Sequence, residues 1–457
     1  MKKLTNSLII VITLCSAILL SCSKDAVDDP VPGTPPNTSN NGTSTYLTDS
    51  EVNRSVTGFK VRQSPDSTDY AQSSNGTVYY DNSIILSPGT GSYMSPIHIL
   101  KKNNIWTLDP ENYGNIIDRA RNIYKVTDGT YVWANAGTES ETNPSGNLYV
   151  SITNPDKSLK WKRLSDKNIA EFYHYAAAGD VDGDGISDIM SFVGVETQSP
   201  ELFKLFKGPN YIEATIKFPD AKEFEAALGI TKELKESVGR NFSFGSICAA
   251  DLDGDSKCEL ILTSTDVKVN NYYAFIIMKF ENNAFKIHKI IKPGGALKDN
   301  KMAVADVRVG DFNGDKINDV VVSMGDYNDN AGIQVWTNTG GGNLVPNDKK
   351  KELHGKLYNN EIYYNNFEIG KFRGNDCIFL HFEGARYVPR PQSDLNLNPF
   401  LLLSNGTEDG FTHLSNLPIQ KQAPSYVKGY FENNTLRIIG IRGVRWHEFE
   451  VIDLTIK

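Results

Sequence analysis

The sequence predicts an all-β chain folded as a β-propeller of seven four-stranded blades, with six or eight as the alternatives. Three observations carry this expectation. A nine-residue acidic pattern occurs three times, each copy lies between two apolar runs, and the spacing of the last two copies continues into segments that have lost the acids.

The three copies are Asp180-Val-Asp182-Gly-Asp184-Gly-Ile186-Ser-Asp188, Asp251-Leu-Asp253-Gly-Asp255-Ser-Lys257-Cys-Glu259 and Asp311-Phe-Asn313-Gly-Asp315-Lys-Ile317-Asn-Asp319. An apolar run, a tight polar loop and a second apolar run make a β-hairpin signal. The step from Asp251 to Asp311, taken again, leads to Lys371 in Phe367-Glu-Ile-Gly-Lys371-Phe. Nearly the same step then leads to Tyr430 in Val427-Lys-Gly-Tyr430-Phe. Both segments keep the hairpin frame without the acids. The step from Asp180 to Asp251 is longer than the rest, and the surplus predicts a helical insertion. Asp220 is its candidate N-cap, Glu223 the capping-box partner, and Gly229 or Gly239 the stop.

Each unit carries a third apolar run, such as Glu201–Phe206, Tyr272–Met278 and Gly332–Trp336, and most carry a weaker fourth, such as Phe285–Ile291. Four antiparallel strands repeated at this period is the arithmetic of propeller blades. Two aberrant units, near Thr77–Leu108 and Asn122–Leu164, bring the count to seven. The last unit ends after three strands. Gly58-Phe-Lys-Val-Arg62 is placed to supply the fourth, which would remove the exposed sheet edges.

The ends of the chain indicate export. Lys2 and Lys3 precede an apolar run, Leu8–Leu20, too short for a transmembrane helix and suited to a secretory signal. Residues 22–45 are rich in Pro, Thr, Asn, Gly and Ser and cannot bury enough surface to fold, so they read as a disordered tether. The body is expected over residues 46–457. Cys248, Cys258 and Cys377 make no disulfide framework. Cys248 and Cys258 could pair across a hairpin or remain free buried thiols.

Carboxylates at positions 1, 3 and 5 of a curled loop converge on one centre, and an all-oxygen set suits a hard cation. The candidate ligands are Asp180, Asp182, Asp184 and Asp188; Asp251, Asp253, Asp255 and Glu259; and Asp311, Asn313, Asp315 and Asp319. Backbone carbonyls of Ile186, Lys257 and Ile317 would complete each cage. An EF-hand needs a bidentate Glu at position 12, where Ser191, Leu262 and Val322 stand, so that reading fails. No nitrogen or sulfur ligand completes the sets, which argues against zinc or copper; magnesium is second to calcium. The loops hold eleven carboxylates against a whole-chain net charge of −8, so bound cations are the expected compensation. About three calcium ions are expected, with a structural role.

Two resemblances follow from these residues. Phe244-Gly245 followed by the Asp251–Asp255 loop, with Gly332-Ile-Gln-Val-Trp336 as third strand, resembles the FG-GAP/VCBS repeats also found in integrin α-subunits. The Gly-Ala-Pro element of the integrin type is absent. Leu19-Leu20-Ser21-Cys22 resembles a bacterial lipobox, which implies a lipid on the Cys22 thiol. Asp25, Asp28 and Asp29 beyond it resemble the surface-export signal of Bacteroidetes lipoproteins. Together these imply a protein anchored by lipid at the outer membrane or cell surface.

The functional expectation is a non-catalytic binding module for an extracellular glycan or protein. The alternative is a surface lyase or hydrolase acting on polysaccharide, and a structural or assembly lipoprotein differs from the first only in its partner. The sequence contains no Gly-x-Ser-x-Gly elbow, His-Glu-x-x-His motif or P-loop. A two-carboxylate glycosidase site, however, leaves no motif. The acidic balance and the lack of a basic stripe argue against nucleic acid. The loops joining second to third strands in the metal-free units contain Arg386, Tyr387 and Arg390, and then Arg442, Arg445 and Trp446. Asp326 and Tyr327 come from the preceding unit. Arginine forks pair with carboxylates and rings stack on sugar faces, so these residues are the candidate acidic-glycan site.

Overall fold

A computed structural model describes the strands between Thr45 and Ile456, with unbroken stretches at 173–193, 201–230, 242–265, 274–292, 303–325 and 332–347. The remaining residues, among them 1–44, lie outside the described set. The chain divides into a unit of residues Met1–Ser39 and a unit of residues Asn40–Lys457.

The second unit is an all-β, propeller-like fold. In chain order, β1 (Thr45–Tyr46) and β2 (Val52–Lys60) precede a first sheet of β3 (Gly76–Tyr80), β4 (Ser83–Ser87), β5 (Ile97–Lys102) and β6 (Ile105–Leu108). The second sheet is β7 (Ala120–Lys125), β8 (Tyr131–Asn135), β9 (Asn147–Thr153) and β10 (Leu159–Arg163). The third is β11 (Tyr173–Gly179), β12 (Asp188–Val193), β13 (Phe203–Lys207) and β14 (Ile212–Glu213). The helix α1 (Ala221–Leu228) separates it from the fourth, β15 (Ser243–Ala250), β16 (Glu259–Thr265), β17 (Phe275–Glu281) and β18 (Ala284–Ile291). The fifth is β19 (Ala303–Gly310), β20 (Asp319–Gly325), β21 (Gly332–Asn338) and β22 (Leu344–Pro346).

Two sheets take a strand from the other end of the chain. The sixth comprises β23 (Asn366–Phe372), β24 (Asn375–His381), β25 (Phe400–Ser404) and β26 (Phe411–Ser415), and β1 adds to it in parallel. The tether was expected to run through residue 45, whereas Thr45 already pairs with Leu414. The seventh comprises β27 (Tyr426–Glu432), β28 (Thr435–Arg442) and β29 (Glu448–Ile456), with β2 antiparallel to β29 as outer strand.

Within each of the seven sheets the four main strands are antiparallel neighbours, and the first strands of successive sheets pack together: β3 on β7, β7 on β11, β11 on β15, β15 on β19, β19 on β23 and β23 on β27. β2 of the seventh sheet packs on β6 of the first.

This stacking explains why the second strands are continuous apolar runs rather than alternating ones, since both faces are covered. Ile189 packs toward the second sheet with Val132, Leu148 and Val150, while Met190 packs toward the fourth with Leu260 and Leu262. Ile261 faces the opposite way, into a cluster with Val307, Val320, Val322 and Trp336 of the fifth sheet.

The insertion forms as its caps dictate. Asp220 accepts from the Glu223 amide, the Glu223 carboxylate accepts from the Asp220 amide, and Gly229 ends the helix at φ 76°. Phe224 and Leu228 are buried, and Phe224 joins Phe203, Phe242 and Phe244 in an aromatic cluster. The Phe-Gly pair also has a local cause. β15 and β16 are in register at Phe244 and again at Ser246, so Gly245 is the extra residue of a β-bulge. Comparable shifts occur in β7, β11 and β19.

Candidate metal loops

The three acidic segments are the turns between β11 and β12, β15 and β16, and β19 and β20. Position 2 of each (Val181, Leu252, Phe312) is buried in the apolar layer and anchors the loop. Position 9 (Asp188, Glu259, Asp319) is buried as the first residue of the second strand. Positions 4 and 6 both take left-handed backbone: Gly183, Gly254 and Gly314 at φ 82°, then Gly185, Ser256 and Lys316 at 83°, 71° and 69°. Position 4 was legible from its glycines. Position 6 was not, because two non-glycine residues accept a conformation that costs them about 1 kcal/mol or more.

The curl turns amides inward. The position-1 carboxylate accepts from the position-4 amide at 2.7, 2.7 and 2.6 Å and from the position-6 amide at 2.8, 3.0 and 2.9 Å. The position-5 carboxylate accepts from the position-7 amide at 2.9, 2.8 and 2.8 Å. Three sequences that differ at several positions therefore build one geometry. The position-9 carboxylate also closes the loop. Glu259 accepts from Leu252 at 2.8 Å, and Asp319 from Phe312 at 3.0 Å. Asp188 accepts from Gly208 at 3.1 Å, and Asp319 from Asn338 at 2.8 Å.

Oxygen atoms of Asp180, Asp182 and Asp188 all lie within 4.8 Å of one another, as do those of Asp251, Asp253 and Asp255. The convergent sets thus differ: the first loop draws in position 9 and leaves Asp184 out, while the second draws in position 5 and leaves Glu259 out. In the third, Asn313 donates its amide to Asp315 at 2.9 Å.

The residues fit a hard divalent cation on one observation in particular. Asp182 Oδ1 and Asp188 Oδ2 are buried without a hydrogen-bond donor, and Asp188 is fully buried. A buried carboxylate oxygen without a protein donor calls for a proton, a cation or an ordered water, and two such oxygens close together favour the cation. Burial pushes the Asp188 carboxyl up to about 6, and Glu259 is likewise raised by burial.

Two lysines that sequence reasoning missed reach these loops from the third strands. Lys207 Nζ bonds Asp182, and Lys279 Nζ bonds Asp253 and lies 3.3 Å from Glu259. The bond to Asp182 raises Lys207. Burial alone would lower Lys279, but its bonds to Asp253 and Glu259 outweigh that and raise it. Asp253 is correspondingly held below the usual carboxylate range. A near-constant offset from position 3 to the lysine was the available signal.

The loops are also tied to one another. The Cys258 amide donates to the Asp180 carbonyl at 2.6 Å, and Asn318 Nδ2 to the Asp251 carbonyl at 3.1 Å. The Asp311 amide donates to the carboxylate of Asp376, the second residue of β24 in the sheet without a metal pattern. Cys258 packs its sulfur over Gly179, where a Cβ would sit 2.9 Å away. Cys248, Cys258 and Cys377 are free thiols, and burial pushes Cys248 up to about 12 and Cys258 to about 11.

Of the candidate glycan residues, Arg442 is the last residue of β28, in register with Glu448, rather than part of the following loop. Arg386, Tyr387, Arg390, Arg445, Trp446, Asp326 and Tyr327 lie outside the described residues, as does Cys22. Among the described residues, no helix is long and apolar enough to cross a membrane.

No family model and no curated protein matches the chain. Among solved structures, a Dyadobacter fermentans protein of unknown function is similar at TM-score 0.44 and 11% identity, over 73% of this chain and 93% of that one. Virginiamycin B lyase from Staphylococcus aureus is similar at TM-score 0.43 and 10% identity, over 89% and 100%. An ancestral GH74 enzyme is similar at TM-score 0.47 and 9% identity, over 85% and 48%. None of these similarities assigns an activity.

Proposed function

We propose that the chain is a lipid-anchored surface protein whose body is a closed seven-bladed propeller of FG-GAP/VCBS kind, stiffened by calcium and serving as a non-catalytic binding module. The observation that carries the calcium reading is one loop geometry repeated in three consecutive sheets, with buried Asp188 and Asp182 oxygens lacking donors in the first. The cyclic order of packed sheets and the β2–β29 pairing support a ring closed between its two ends.

Calcium would be held by Asp180, Asp182, Asp184 and Asp188, by Asp251, Asp253, Asp255 and Glu259, and by Asp311, Asn313, Asp315 and Asp319. The carbonyls of Ile186, Lys257 and Ile317 would add to these sets. When bound, it neutralises clustered carboxylates and fixes the turn. The loops lie at element ends and are tied to their neighbours, which fits a stiffening role. The partner chemistry we assign is an acidic glycan, recognised by Arg386, Tyr387, Arg390, Arg442, Arg445 and Trp446.

The test is a glycan array on the full chain, with and without calcium, scored for both retention and new chain ends. Retention of anionic glycans without cleavage, lost in Arg390→Ala with Arg445→Ala at unchanged melting temperature, is the expected result. New reducing or unsaturated ends would make the protein an enzyme instead, and equal retention by the double variant would remove this site. Cys22→Ser is expected to abolish lipid labelling and release the protein from the membrane fraction; retention of the variant would overturn the anchor.

A further inference from the structure

The registers place Lys207, Lys279 and Thr337 at one position. Ile189 pairs with Phe206, Leu260 with Met278 and Val320 with Trp336, so each is the next residue along its third strand. Where that residue is lysine, loop position 3 is aspartate: Asp182 and Asp253. Where it is Thr337, position 3 is the neutral Asn313, and Thr337 instead accepts from Asn347 at 3.1 Å. Each of the first two loops sets four carboxylates against one bonded ammonium, and the third holds three carboxylates. Of the other loop lysines, Lys257 lays its stem against Gly183 of the first loop.

We infer that Lys207 and Lys279 are tethered competitors of calcium, holding the position-3 carboxylate of the first two loops and lowering their affinity relative to an uncompeted site. The inference rests on the calcium reading above. An ammonium and a divalent cation both seek the same carboxylate oxygens, and a positive charge a few ångströms from a metal position repels the ion. The affinity of an oxygen cage follows its ligand charge. A tethered ammonium also keeps a cation-free loop from repelling itself apart, so the two loops hold their shape before they fill. At the equivalent place the third loop has Thr337, which carries no charge to compete for its carboxylates.

The test is calcium titration of the full chain by calorimetry, with melting curves in chelator. Lys207→Met and Lys279→Met are each expected to tighten one site by about tenfold or more and leave the others unchanged. Each is also expected to lower the melting temperature in chelator while raising it in saturating calcium. Asn313→Asp is expected to tighten the third site, and adding Thr337→Lys to that variant is expected to weaken it again. Sites of unchanged or weaker affinity in both lysine variants would overturn the inference while leaving calcium binding intact. Calcium binding that appears only in the lysine variants would support it in its strongest form. No calcium uptake by wild type or by either variant would overturn the calcium reading itself, and this inference with it.

Discussion

Chelating calcium is expected to lower the melting temperature of the full chain, and added calcium to restore it along a saturable curve. A ligand that binds only the folded state stabilises it by about 2.7 kcal/mol at a hundredfold excess over its Kd. Three loops filled to that degree would contribute about 8 kcal/mol, a large share of the stability of any domain. The effect concentrates in the third to fifth sheets, where the loops lie between paired strands. Asp251→Ala removes the carboxylate that accepts from both Gly254 and Ser256, so it loses the curl of its loop along with a ligand. It should lose one site of the three, and the calcium-dependent part of the melting shift should shrink by about a third. The hydrogen bond from Cys258 to Asp180 is made by the backbone and survives this change, so the first loop keeps its own site. A melting curve that does not move in excess chelator would end the structural-calcium reading.

What was legible in the sequence, and what was not, divides along physical lines. The acidic loops, the strands around them and the capped helix were readable because each is encoded by neighbours in the chain. Asp220 and Glu223 bond to each other's amides, and Gly229 supplies a left-handed stop. The repeat period carried the expectation into sheets whose loops have no acids, and β23–β24 and β27–β28 do form hairpins there. The pairing of Val52–Lys60 with the last strand was anticipated from one short apolar run, though the observed strand begins earlier in the chain.

Most of the missed features depend on residues far apart in sequence. Lys207 and Lys279 reach their loops from the third strands, and Asp376 reaches Asp311 from the next sheet. The lysines are brought to their loops by the pairing of second and third strands within a sheet, and Asp376 by the packing of one sheet on the next. The parallel addition of Thr45–Tyr46 to β26 was missed for the same reason, since two residues at the end of a polar stretch carry no periodicity. Position 6 was hidden differently. Ser256 and Lys316 take a glycine-like backbone under the constraint of the loop, so residue type gave no sign of it.

The second large effect is expected at the junction of the first and seventh sheets. Asp453 of β29 is 5% exposed, and it accepts from Arg437 of β28, from Lys101 of β5 at 2.8 Å and from the Trp106 indole of β6 at 3.2 Å. The Arg437 guanidinium also stacks over the Trp106 ring, 4.5 Å from its centre. Burial pushes Asp453 up, but Arg437 and Lys101 outweigh it and hold the carboxyl below its usual range. One carboxylate therefore satisfies donors from both the first and the seventh sheet. Asp453→Asn keeps the volume but leaves the buried Arg437 without its counter-charge. Breaking one side of a buried ion pair costs about 3–5 kcal/mol. Replacing both partners, as in Asp453→Leu with Arg437→Met, should cost less, because the guanidinium leaves with its counter-charge and only Lys101, which is part exposed, and the Trp106 indole lose an acceptor. The pH dependence has a definite sign. A carboxyl lowered on folding contributes stability above its unfolded pKa of about 3.9, lost as pH falls through the folded value. The gap between wild type and Asp453→Asn should therefore be full near neutrality and narrow below about pH 4. Chemical denaturation at several pH values measures both effects. A variant within about 0.5 kcal/mol of wild type at neutral pH would show that the cluster does not hold the two sheets together.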